Sequence, residues 1–142
     1  MRISTCVRFT GGPTPPATPK GNPNPGREIV DHLVACLPRA GIAVGKIMDI
    51  EFAHEIECDV SGKAYKVLVA FDWVTHGWWE VFYRPRLSWM SRLFGQSEFD
   101  EMKLLTRGLA AAIGELPGLG EARWYTSYNV RISGRYALTP ET

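Results

Sequence analysis

A chain of 142 residues, 45% hydrophobic and 22% charged, has the size and composition of one globular domain with a proper core. Its net charge of +1 supplies neither the basic field that nucleic-acid binding draws on nor a strong pull toward an anionic membrane. Three scattered cysteines, Cys6, Cys36 and Cys58, argue against a disulfide framework, and the lack of a CxxC pair argues against a zinc site.

The N-terminal stretch MRISTCVRF lacks the apolar run of a secretion signal. No segment approaches the roughly 18 apolar residues needed to cross a bilayer. A cytoplasmic location is therefore expected, with no membrane contact. The first strand is expected over residues 2–9, where Ile3, Thr5, Val7 and Phe9 alternate with Arg2, Ser4, Cys6 and Arg8. The proline- and glycine-rich segment 10–26 follows and reads as a long loop.

A helix comes next, with Asn24 as its cap and Pro25 at its first position. Ile29, Val30, Leu33, Val34 and Leu37 share its apolar face, and Pro38 and Gly41 end it. The segment 47–60 alternates so regularly that it predicts a single strand, turning at Ser61-Gly62 into a second strand over 63–74. That turn pairs Cys58 with Tyr65, Ile56 with Val67, Phe52 with Phe71, and Ile50 with Trp73. A three-residue turn at Thr75-His76-Gly77 then pairs Trp73 with Trp79, Phe71 with Val81, and Val69 with Tyr83. A second helix is expected over 97–116, with Ser97 as cap and a stripe of Phe99, Met102, Leu105, Leu109, Ile113 and Leu116. EARWYT and YNVRIS read as one or two closing strands. The sum is a single α+β domain: an antiparallel meander of about four to six strands with two helices packed on one face.

The opposite face of that meander carries the candidate chemistry. In the predicted register Glu57 meets Lys66, Glu51 meets Asp72, and Asp72 meets Glu80, so three carboxylates share one row. Like charges directly opposite one another destabilise a sheet by roughly 0.2–1 kcal/mol per pair. Leu68, Ala70, Val74, Trp78 and Phe82 lie beside them. The face reads in two ways, as a solvated polar surface or as a recognition surface in which aromatic anchors sit beside guiding charges. On the second reading Glu51, Asp72, Glu80, Trp78 and Phe82 contact a protein partner with a basic surface, with Glu55 and Glu57 at the rim. Further alternatives are a cation site and a small enzyme using Asp72 and Glu80 as an acid/base pair.

No cofactor or metal is expected. His32, His54 and His76 lack ligand spacing, and the chain has no phosphate loop, nucleophile elbow or GxGxxG. WWEVFYRPRLSWMSRLFG mixes aromatics with Arg84, Arg86 and Arg92, but the acidic row beside it would repel phosphates, so nucleic acid is not the expected partner.

The stretch LSWMSRLFGQSEFDEMKLLTRGLAAAIGELPGLGEARWY resembles a pattern of small bacterial α+β proteins: an Arg-Leu-Phe-Gly entry, a long helix, a short turn, and a strand with Arg-Trp. Some proteins with this pattern are immunity proteins of contact-dependent and type VI secreted toxins. The resemblance implies a non-enzymatic protein that binds and blocks a toxin domain. Its motif is structural and implies no site residues.

Overall fold

A computed structural model describes residues 3–14, 25–73, 77–84, 99–131 and 134–140. The elements in chain order are β1 (Cys6–Gly11), α1 (Arg27–Cys36), β2 (Ala43–Asp49), β3 (His54–Val60), β4 (Lys63–Phe71), β5 (Trp79–Tyr83), α2 (Phe99–Gly114) and β6 (Leu119–Tyr125). The six strands form one antiparallel sheet in the order β2-β3-β4-β5-β1-β6. Both helices pack on one face of it, which gives the expected α+β architecture.

Alternation decides which side chains meet the helices. Val7, Phe9, Ile56, Val67, Val69, Trp79, Val81 and Tyr83 all bury on the helical face. Ile29, Val30, Leu33 and Leu37 come down from α1 and its 3₁₀ extension, and Leu105, Leu109, Ala112 and Ile113 from α2. The 3₁₀ turn Leu37–Ala40 begins where Pro38 cannot continue the α pattern, and Gly41 closes it at φ 80°. A buried polar chain fixes α2 to the sheet. The Tyr83 hydroxyl lies 2.6 Å from Thr106 Oγ1 and 3.0 Å from the Met102 carbonyl, and Thr106 donates to the Ser4 carbonyl at 2.8 Å.

Two parts of the expected meander are corrected. The segment 47–60 is a hairpin of two strands, with Asp49 opposite His54 and a turn closed by the Ile50 amide on the Ala53 carbonyl at 2.9 Å. Alternation alone does not reveal that turn, because Ile50–Ala53 contains no Gly, Pro or Asn. A bulge between Val44 and Ile47 shifts the parity of β2, so both residues pack against the core. The expected pairs Phe52–Phe71, Ile50–Trp73 and Glu51–Asp72 therefore do not form, while Cys58–Tyr65, Ile56–Val67 and Glu57–Lys66 do.

The second correction is the β4–β5 register. Phe71 faces Trp79, Val69 faces Val81 and Val67 faces Tyr83, two residues from the expected pairing. A slip of two keeps every side chain on its face, so the core assignment survives while the cross-strand partners change. YNVRIS also departs from expectation, because Tyr128–Val130 is a 3₁₀ turn. The Asn24 cap, the Ser97 cap, Val74, His76, most of the loop 10–26 and the connection 85–98 lie outside the described residues. No described helix is long and apolar enough to cross a membrane.

Candidate functional site

The true register orders the face away from the helices into rows. One row reads Glu57 (β3) and Lys66 (β4), and the pairing of Val67 with Tyr83 carries on to set Arg84 beside Lys66. The next row reads Glu55, Leu68, Phe82, Cys6 and Tyr125, and the third reads Ala70, Glu80, Arg8 and Arg123. β1 is central, and its outward parity drives Arg8 between the carboxylates.

The expected acidic row is thus an interior ion-pair cluster. The Arg8 guanidinium bonds Asp72, and its Nε stands 3.4 Å from Glu80 Oε2. Arg131 Nε approaches the same Glu80 oxygen at 2.6 Å from the other side. Only 2% of Arg8 and 3% of Glu80 are exposed, so these charges are partnered inside the protein and do not repel across a solvated surface. Burial pushes the Glu80 carboxyl up, against the opposing pull of Arg131 and Arg8. Both carboxylates face guanidinium groups, an arrangement that offsets their charge inside the protein.

The aromatic half of the face is also partly covered. The chain after β6 crosses it, and the Tyr128 ring stacks on Phe82 with centroids 4.0 Å apart. Phe82, Cys6 and Tyr125 form a small second core beneath Tyr128, Val130 and the edge of Leu68. Arg131 lies 3.6 Å over the Tyr128 ring and donates to its carbonyl, and Arg8 donates to the Arg131 carbonyl. Further along, Trp124 and Ala137 exchange backbone hydrogen bonds. Trp78 is half-buried, with the Arg123 guanidinium 4.6 Å from its ring centroid.

Among the residues expected to contact a partner, then, Glu80 and Phe82 are interior, Asp72 is bound to Arg8, and Trp78 is half-buried beside arginines. Glu51 is exposed on the β2–β3 turn and does not pair with Asp72. Glu55 and Glu57 remain on the open part of the face.

That open part is a cleft of about 770 Å³ over β3, β4 and β5. Leu68 and Tyr128 supply apolar surface with Phe82 buried behind them, Ile50 and Phe52 of the β2–β3 turn border it, and Glu55, Glu57, Lys66 and Arg84 stand around it. Phe52 is 56% exposed and stands at the edge of this apolar cleft. Lys66 Nζ pairs diagonally with Glu55 at 3.4 Å, not with Glu57 opposite. No known protein family, curated protein or solved structure matches the chain. The cleft's own chemistry therefore carries the functional argument. It offers an apolar floor, an aromatic lip and a rim of balanced charge, which suits an amphipathic occupant. Among the described residues no group of three or more His, Cys, Asp or Glu is placed to hold a metal ion.

The thiols stand apart from any such chemistry. Burial pushes Cys6 and Cys58 each up to about 12, and Cys36 is also raised by burial. At pH 8 a thiol at that value is about one part in ten thousand thiolate, the reactive form. Native protein treated with iodoacetamide at pH 8 is expected to leave Cys6 and Cys58 unlabelled, with all three cysteines labelling in concentrated guanidinium. Prompt labelling of either residue in native protein, read by peptide mass spectrometry, would contradict the placement.

Sequence reasoning overlooked Arg8, Arg123, Arg131, Tyr128 and Phe52 as parts of this face. The parity of Arg8 was readable. Its position beside Glu80 was not, because nothing local in the sequence sets β1 between β5 and β6.

Proposed function

We propose that this protein is a non-enzymatic binding module that holds a protein partner in the cleft over β3, β4 and β5. Its most concrete form is an immunity protein that blocks a secreted toxin. The observation that carries the reading is the exposed Phe52 beside an apolar floor, with Glu55, Glu57, Lys66 and Arg84 around it. A large aromatic anchor next to a desolvated pocket is the composition of an interface hot spot, and surrounding charge sets orientation more than affinity. The Arg-Leu-Phe-Gly entry, helix and Arg-Trp strand that resemble immunity proteins support the more specific form.

The test uses the full chain immobilised in an extract of its source cells, beside a Phe52→Asp variant, with mass spectrometry of the retained proteins. The expected result is one stoichiometric partner held by the wild type and lost by the variant. Expressed alone in a heterologous host, that partner is expected to arrest growth, and co-expression of the wild type but not of the variant to restore it. Identical retention by both proteins would sink the binding reading, and a harmless partner would sink the immunity form of it.

A further inference from the structure

The cleft contains opposite charges that its own ion pairs leave uncommitted. Lys66 and Glu55 satisfy one another. Among the described residues Glu57 and Arg84 have no ionic partner, and both are exposed. They close the same row from opposite sides, one on β3 and one at the end of β5, with β4 between them. Two strand spacings separate their backbones by about 10 Å. Lys66 stands between them in that row, and Leu68 lies in the adjacent row on the apolar floor, with Phe82 buried behind it.

We infer that the cleft takes an extended segment of the protein partner in which a large apolar side chain is flanked by a carboxylate and a cation. The carboxylate meets Arg84, the cation meets Glu57, and the apolar side chain enters between Phe52 and the floor formed by Leu68 and Tyr128. Charge complementarity selects this occupant. A uniformly basic segment would bring a cation against Arg84, and a uniformly acidic one a carboxylate against Glu57. The guanidinium suits a carboxylate, which it can meet with paired hydrogen bonds. An extended chain rises about 3.3 Å per residue and alternates its side chains, so an acid, an apolar residue and a base that all face the cleft stand at alternate positions, with the two charges four residues and about 13 Å apart, within side-chain reach of the gap. The inference rests on the binding reading above and specifies what that binding recognises.

The test pans a phage-displayed library of random short peptides on the full-length protein. The strongest winner is then synthesised and titrated calorimetrically against wild type, Arg84→Glu, Glu57→Lys, Leu68→Glu and Phe52→Ser. Winners are expected to place an aromatic or large aliphatic residue midway between an acid and a base four positions apart. Arg84→Glu is expected to weaken binding at least about tenfold, and a peptide with its acid changed to lysine to restore it. Winners lost on Leu68→Glu or Phe52→Ser but indifferent to both charge reversals would overturn the inferred chemistry and leave the cleft reading standing. Winners indifferent to all four substitutions, or no winner at all, would overturn both. Phe52 sits on an exposed turn, so its variant keeps the test valid if Leu68→Glu does not fold.

Discussion

Arg8→Met is expected to lower folding stability by about 3–5 kcal/mol, the cost of breaking a buried ion pair from one side. The substitution keeps the bulk of the side chain but removes the guanidinium that meets both Asp72 and Glu80. Glu80 would then keep Arg131 but lose Arg8, and Asp72 would lose its bond to Arg8, so the balance of charge in the interior site is broken. A domain of this length has roughly 5–15 kcal/mol in hand, so the loss is a large share of the whole. Urea unfolding followed by tryptophan fluorescence measures it. Adding Asp72→Asn to the same variant is expected to recover part of the loss, because Glu80 keeps Arg131 and no second carboxylate charge then stands beside it. A change within about 1 kcal/mol for Arg8→Met alone would show that the cluster is hydrated and not interior.

The second large effect separates two phenylalanines on one face. Phe82→Ala is expected to destabilise the fold by about 3–5 kcal/mol, as for truncation of a buried aromatic. Phe82 is 2% exposed and carries the stacked Tyr128 ring, so its loss opens a cavity beneath the chain that follows β6. Phe52→Ala is expected to leave stability within about 0.5 kcal/mol, as for an exposed site. It is instead expected to weaken capture of the partner by about 2 kcal/mol or more, as for a hot spot. Paired unfolding curves and binding isotherms read both. A stable Phe82→Ala with impaired binding would return Phe82 to the recognition surface and remove the reason for placing the anchor at Phe52.

Much of this arrangement was legible in the residues. Period-two alternation told which side of β1, β3, β4 and β5 meets the helices, and the slip of the β4–β5 register left that answer unchanged because two residues restore the parity. The apolar stripes of α1 and α2 and the Pro38–Gly41 stop were equally visible, since helix periodicity and backbone restriction are local properties. The Ser61-Gly62 turn was local as well, and it set the Cys58–Tyr65 and Glu57–Lys66 pairs correctly.

What the sequence could not carry was the order of the strands. β1 sits between β5 and β6, joined to neighbours more than sixty residues away, and no periodicity encodes such a pairing. Only that placement sets Arg8 against Asp72 and Glu80, turning an apparent row of repelling carboxylates into a neutralised interior cluster. The same non-local packing lays Tyr128 over Phe82, so that this aromatic is interior while Phe52, on the Ile50–Ala53 turn, is exposed. Local chemistry by itself determined which residues share a face. Long-range pairing, set by burial summed over the whole chain, decided which of them meet solvent and which meet one another.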